Sequence, residues 1–66
     1  MTDWVIKEPR QGPIELWEGR KRHGAHDSVG SAQQKARRLM GPDDRLYHEE
    51  ADGYRTLLSK RRGWRR

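Results

Sequence analysis

Hydrophobic residues recur with a helical period in one stretch of the chain, residues 27–42. On a helical wheel its apolar side chains fall within one arc about 100° wide: Val29, Ala32, Ala36, Leu39 and Met40. Ser28 and Ser31 are both candidates for the N-cap, and Gly41, followed by Pro42, is expected to end the helix as a left-handed residue. This stretch predicts a helix whose apolar arc packs on the rest of the chain.

Shorter stretches alternate between apolar and polar residues, which is the period of a half-buried strand. Residues 14–17 (IELW) alternate in this way, and residues 4–6 (WVI) have the propensity of a strand. The turn-type sequence RQGP joins the two into a hairpin. The apolar residues of this hairpin that are predicted to face the helix are Trp4, Ile6, Ile14 and Leu16. Alternation then places Trp17 on the opposite face of the sheet. Residues 21–26 fit a third strand or a basic loop equally well.

A second hairpin follows the helix. The sequence RLYHE at residues 45–49 alternates, Gly53 fits the left-handed position of a turn, and residues 54–58 return as a strand. The prediction is therefore the α+β class, with a small antiparallel sheet of two hairpins packed on one central helix, in the order ββ(β)αββ. Residues 1–59 are expected to form the single domain, and residues 60–66 a mobile basic C-terminal tail.

Composition limits the possible classes of protein. The chain has 66 residues, of which 30% are hydrophobic and 38% are charged, so it can bury only a small core. It contains no cysteine, which excludes disulfides and thiolate metal sites. No apolar run is long enough to cross a bilayer, and no signal sequence opens the chain. The expectation is a soluble cytoplasmic protein, either a monomer or a homodimer.

Charge is segregated along the chain, which has a net charge of +5. Residues 1–19 and 42–58 are net negative, whereas residues 20–41 and 59–66 are net positive. The sequences GRKRHG and KRRGWRR resemble the arginine-rich arms with which many small proteins grip phosphate backbones. Guanidinium groups pair bidentately with phosphate oxygens, and the binding they give depends steeply on salt. The basic blocks therefore favour a nucleic acid or an acidic protein surface as the partner.

Two tryptophans lie among the basic residues, a combination typical of sites where a base stacks on an aromatic ring. Trp17 could equally pack under a loop, and Trp64 lies in the tail. The candidate residues for binding nucleic acid or an acidic partner are Trp17, Arg20, Lys21, Arg22, Lys35, Arg38, Lys60, Arg61, Arg62, Trp64, Arg65 and Arg66.

Residues suited to metal binding or catalysis are few. His23 and His26 flank Gly-Ala in a predicted loop without cysteine, and His48 is followed by two glutamates but by no second histidine at the spacing of a zinc motif. No nucleophile with a base and no phosphate-binding glycine loop is present. The sequence predicts no metal, no cofactor and no enzymatic activity.

At the level of fold, the hairpin followed by a helix is similar to the small sheet-and-helix domains with which phage integrases and some plant transcription factors read DNA through a sheet. The resemblance implies DNA binding but is carried by no motif. The leading hypothesis is a small nonenzymatic protein that binds DNA or RNA with arginine-rich arms and exposed tryptophans. The alternative is a small adaptor or inhibitor, of the kind that phages encode, that binds an acidic surface of a protein partner.

Overall fold

A computed structural model describes residues 2–60 of the chain. The elements are β1 (Asp3–Lys7), β2 (Ile14–Glu18), β3 (Lys21–His26), α1 (Val29–Leu39), β4 (Arg45–Glu49) and β5 (Arg55–Lys60). The α+β class with one helix on a sheet is confirmed for this part of the chain. Residues 21–26, which the sequence left open, form the strand β3.

The five strands form one sheet in the order β3-β2-β1-β4-β5. Both hairpins, β2–β3 and β4–β5, are antiparallel, as is the β1–β2 pair. The β1–β4 pair is parallel, so the sheet is mixed, and the prediction of an antiparallel sheet was wrong for this one pair. The helix returns the chain from the end of β3 to the start of β4, so β3 and β4 run in the same direction. Since β3 also runs in the same direction as β1, β1 and β4 pair as parallel strands.

The helix begins at a single clear cap. The Ser28 side chain accepts a hydrogen bond of 3.1 Å from the backbone N–H of Ser31, which decides between the two candidate caps. At the other end, Met40 is extended and its N–H donates to the Ala36 carbonyl at 2.8 Å. Gly41 does not have the left-handed backbone predicted for it. Its N–H instead donates to Asp44 Oδ2 at 2.9 Å, so this carboxylate fixes the backbone that follows the helix.

The cap can be tested by a matched pair of substitutions. Ser28→Ala removes the side-chain acceptor and is expected to lower the free energy of unfolding by about 1 kcal/mol. Ser31→Ala leaves that acceptor in place and adds a residue of higher helix propensity, so it should cause no loss. Urea denaturation followed by circular dichroism measures both. Equal destabilisation by the two variants would contradict the assignment of Ser28 as the cap.

The core lies between the helix and one face of the sheet. Its buried members are Trp4, Ile6, Leu16, Ala32, Ala36, Met40 and Leu46, with Ile14, Val29 and Leu58 packed against them. The residues of β1 and β2 that were predicted to face the helix are therefore confirmed. Leu39, which was predicted to belong to the apolar arc, is 49% exposed. It lies at the margin of the arc in the last turn of α1, where it lines a cleft beside β3 instead of packing on the sheet.

The edge strands β3 and β5 each contain a β-bulge. The register of β2 with β3 shifts between Leu16 and Trp17, which leaves His23 as the extra residue. The register of β4 with β5 shifts between Leu46 and Tyr47, which leaves Leu58 as the extra residue. His23 stacks on Trp4 with ring centroids 5.0 Å apart, and Leu58 packs on the core. Both extra residues therefore pack on the helix side of the sheet. On the opposite face, the side chains of neighbouring strands stay in register on both sides of each bulge.

Asp44 connects three parts of the fold. Its Oδ1 accepts the backbone N–H of Thr2 at 2.9 Å, and its Oδ2 accepts the indole N–H of Trp4 at 3.0 Å as well as the N–H of Gly41. The hydrogen bond from the Gly41 backbone is the largest cause that holds the pKa of the Asp44 carboxyl below its ordinary value, with those from Trp4 and Thr2 adding to it. The carboxylate thus ties the start of β1 and the core tryptophan to the end of the helix.

Candidate nucleic-acid interface

The face of the sheet that the helix leaves uncovered, here called the open face, carries a row of side chains that crosses all five strands. Directly paired residues on neighbouring strands point to the same face. Val5 pairs with Trp17 on one side and with Tyr47 on the other, while Trp17 pairs with Arg22 and Tyr47 pairs with Leu57. Trp17 and Tyr47 are half-buried, and Leu57 is 45% exposed. The row therefore presents two aromatic rings beside Val5, with an aliphatic residue at one edge and an arginine at the other.

A carboxylate fixes the Trp17 end of this row. Glu15 Oε1 accepts the indole N–H of Trp17 at 3.1 Å, and Glu15 Oε2 accepts the Nε–H of Arg22 at 3.1 Å. The hydrogen bond from Trp17 is the largest cause that lowers the pKa of Glu15, and Arg22 and Lys7 lower it further. The Lys7 ammonium lies 4.7 Å from the centroid of the Trp17 ring, a cation–π contact. The ring is therefore held in one orientation beside two cations.

The second hairpin repeats this arrangement with a different aromatic residue. Glu49 pairs with Lys7 across the parallel strands and with Arg55 across the hairpin. Arg55 Nε donates to Glu49 Oε1 at 2.8 Å. Each hairpin thus contributes one aromatic residue beside Val5, one glutamate beside Lys7, and one arginine paired with that glutamate. These three pairs of equivalent residues are Trp17 and Tyr47, Glu15 and Glu49, and Arg22 and Arg55.

Unpaired cations gather at the end of the sheet where β1 and β4 begin, here called the basic end. Arg20 lies in the β2–β3 turn, which is anchored by a hydrogen bond of 2.9 Å from the Gly19 N–H to the Asp3 carbonyl. Arg45 pairs with Asp3 in the sheet register and points to the open face. Among the side chains described, those of residues 2–58, Arg20, Lys21 and Arg45 make no ion pair or hydrogen bond. Their charges are therefore available to a ligand.

The binding residues expected from the sequence are divided among several places. Trp17 and Arg22 lie on the open face, and Arg20 and Lys21 lie at the basic end. Lys35 and Arg38 lie on the helix side of the molecule, where they line a cleft of about 380 Å³ with His26 and Leu39. Lys60 is the last residue of β5 and pairs with Arg45 at the basic end. The remaining expected residues, Arg61, Arg62, Trp64, Arg65 and Arg66, lie outside the described residues.

Several residues of the open face were not predicted as binding residues, among them Lys7, Tyr47 and Arg45. Alternation did place Tyr47 opposite Leu46, so its face was readable from the sequence. What the sequence lacked was the parallel β1–β4 pairing, which brings Tyr47 and Trp17 to opposite sides of Val5. Without that pairing, nothing in the sequence indicated that Arg45 and Lys7 lie on the same face of the sheet as the two aromatic rings.

Two of the three histidines contact a glutamate, and the third has a buried ring nitrogen. His23 Nε2 lies 2.8 Å from Glu18 Oε1, and His48 Nε2 lies 2.7 Å from Glu8 Oε1. His26 Nε2 is buried between β3 and the helix without a hydrogen-bond partner. Within residues 2–60, no three histidine or acidic side chains are grouped so that they could hold a metal ion.

The 11-residue helix α1 does not have the length and apolarity needed to cross a membrane, and no other helix occurs in the described part of the chain. Comparison with known proteins adds no assignment, because no protein-family model, no curated protein and no solved structure matches the chain.

Proposed function

We propose that this protein is a nonenzymatic nucleic-acid-binding module that uses the open face and the basic end. The observation that carries the proposal is the placement of Trp17 and Tyr47 on opposite sides of Val5, on a face that nothing in residues 2–60 covers. Aromatic rings on a sheet surface, with cations at their margin, are suited to stack on bases while the cations contact phosphates.

The charges around the face support this use. Arg22 and Arg55 are engaged by glutamates, so the open face itself is nearly balanced in charge. The surplus positive charge lies at the basic end, in the unpaired side chains of Arg20, Lys21 and Arg45. Two of the acidic groups near this end are engaged in the fold, because Asp44 accepts three N–H groups and Glu18 contacts His23. A phosphate backbone would therefore be attracted to this end rather than to the middle of the face.

The arginines of residues 61–66 are proposed to add to this attraction. They follow Lys60 in the chain, and Lys60 pairs with Arg45 at the basic end. Residues 20–22 and Lys60 therefore lie at the same end of the sheet although they belong to opposite edge strands. Each phosphate that these cations neutralise would release counterions and steepen the salt dependence of binding.

Two double substitutions that remove the same charge test the proposal. Fluorescence anisotropy of a labelled oligonucleotide is measured against protein concentration at several salt concentrations. Replacing Arg20 and Lys21 with glutamine is expected to flatten the plot of log affinity against log salt by about 1.4 to 1.8 if each contacts one phosphate. Replacing Lys35 and Arg38 with glutamine should leave the slope nearly unchanged, because these cations lie on the helix side. Equal losses in both variants would contradict the proposed interface and indicate nonspecific attraction.

The second candidate function is an adaptor or inhibitor that binds an acidic protein surface. The ion pairs of Arg22 with Glu15 and of Arg55 with Glu49 favour it. Because these charges cancel, the open face is an apolar row surrounded by nearly balanced charge. Such a surface resembles a protein interface with an apolar centre and a polar rim. The same titration separates the two functions, because a partner held by an apolar centre tolerates salt far better than one held by phosphates.

A further inference from the structure

Resting on the proposed function, we infer that the ligand is a single-stranded nucleic acid. The strand crosses the open face from β3 towards β5, with one base stacked on Trp17 and another on Tyr47. Its sugar-phosphate backbone lies on the side of the basic end. Net charge alone determines neither the strand form nor the side of the face on which the phosphates lie.

The spacing of the two rings favours an unstacked strand. Trp17 and Tyr47 both pair with Val5, so they are separated by two strand spacings. At about 4.8 Å per spacing, their backbones lie about 10 Å apart. Successive bases of a duplex strand are only about 3.4 Å apart along the axis and are covered on both faces by their neighbours. Two bases can reach two rings at this distance only where the strand is open and its bases are splayed out.

The shape of the face points the same way. A major groove about 12 Å wide admits a helix or a two-stranded ribbon. The open face belongs to a five-stranded sheet, which spans four strand spacings, or about 19 Å. Its aromatic residues are half-buried and in register across the sheet, so they form a platform and not a protruding element. A platform of this kind accepts bases that leave their stack but does not enter the groove of a duplex.

The charges on the two sides of the aromatic row set the orientation of the strand. On the side of the basic end lie the unpaired cations Arg20 and Arg45, of which Arg45 points to the open face beside Asp3. Lys21 lies at the same end but pairs with Glu18, which pairs with the core residue Trp4, so Lys21 points to the helix side. On the other side lies a second row, in which Lys7 is flanked by Glu15 and Glu49. Lys7 and Arg55 balance the charges of the two carboxylates, so this row attracts phosphate less than the basic end does. Carboxylate oxygens accept hydrogen bonds from N–H groups on base edges. The backbone is therefore placed beside the basic end, and the base edges are placed towards the glutamates.

The stacking step is tested with four substitutions of tyrosine or tryptophan, one of which is a control. Binding of a labelled single-stranded oligonucleotide and of the matching duplex is measured by anisotropy at fixed salt. Trp17→Leu and Tyr47→Leu are each expected to weaken single-strand binding about tenfold, whereas Tyr47→Phe retains the ring and the affinity. Tyr54→Leu is the control, because Tyr54 is the most exposed of the large apolar residues described, at 65%, and lies in the β4–β5 turn away from the row. Circular dichroism establishes that each variant is folded.

The orientation of the strand is tested with a matched pair of arginines on the second hairpin. Arg45→Gln should flatten the salt slope for single strands by about 0.7, the value for one phosphate. Arg55→Gln removes the same charge on the glutamate side, where Arg55 is already paired, and should leave the slope unchanged. A flatter slope for Arg55→Gln but not for Arg45→Gln would overturn the orientation.

The outcomes separate this inference from the function on which it rests. No binding of either form at low salt overturns both. Equal binding of duplex and single strand that is insensitive to Trp17→Leu and Tyr47→Leu overturns the inference alone. Preference for the single strand, with loss in both leucine variants and none in Tyr54→Leu, supports it. Dimers that Tyr47→Leu dissociates, seen by sedimentation without any change in oligonucleotide affinity, would assign the open face to a second copy and overturn the inference.

Discussion

Replacing Leu46 with alanine is expected to lower the free energy of unfolding by about 3 kcal/mol, the largest effect among the single substitutions considered. Leu46 is fully buried in β4 and belongs to the small core that the helix covers. Domains are stabilised by about 0.05–0.15 kcal/mol per residue, which gives about 3–10 kcal/mol for a chain of this length. The variant should therefore be partly or wholly unfolded at 25 °C, as measured by circular dichroism and urea denaturation.

Leu39→Ala is the matched control, because it removes the same atoms from a leucine that is 49% exposed. Its expected cost is within about 0.5 kcal/mol, since substitutions at the surface change stability little. From the sequence alone Leu39 was predicted to belong to the apolar arc that packs on the rest of the chain, so the comparison tests the packing of the helix directly. Comparable destabilisation by both substitutions would show that the last turn of α1 packs more closely on the sheet than described.

Asp44→Asn is expected to destabilise the protein by about 2 kcal/mol at neutral pH. The carboxylate accepts three N–H groups, from Thr2, Trp4 and Gly41. An asparagine offers one oxygen and one NH₂ group, so at least one of these donors would face another donor. Asp3→Asn removes the same charge from the exposed start of β1 and should have a much smaller effect. Urea denaturation of the two variants and the parent protein measures the difference.

The same carboxylate makes stability depend on pH. Because the pKa of Asp44 is lowered in the folded protein, the folded state favours the ionised form. Its contribution is complete above the pKa of an unfolded aspartate, about 3.9, and is lost as the pH falls through the lower folded value. The parent protein should therefore lose stability as the pH falls below about 4, and Asp44→Asn should lose less. Equal acid sensitivity of the two would assign the acid effect to other carboxylates.

The sequence predicted the local elements well because each has a periodic pattern and a chemical boundary. Alternation placed Trp4 and Leu16 in the core and Trp17 on the opposite face, as the structure has them. The parallel β1–β4 pair was missed because residues 21–26 could not be assigned. A strand followed by a helix and another strand implies a parallel crossover, but that rule applies only once β3 is counted as a strand.

The candidate interface was less accessible to sequence reasoning. Charge density drew attention to residues 20–22 and to Lys35 and Arg38 equally, although the fold places the helix cations on the other side of the molecule. Nothing local distinguishes them, because which side a cation faces depends on how the helix lies on the sheet. Tyr47 became part of the candidate site through its register with Val5, which is a contact between residues far apart in the sequence.

The glutamate that binds both Trp17 and Arg22 bears on how selective the proposed surface can be. A free tryptophan and a free arginine each sample several rotamers, and fixing such side chains on binding costs about 0.5–1.5 kcal/mol apiece. In this protein one carboxylate, Glu15, already restricts both in the absence of a ligand. The conformational entropy is lost during folding instead of during association. The Trp17 end of the row is thereby preorganised. A ligand that fits this arrangement binds more tightly, and a ligand that requires the side chains to rearrange binds more weakly.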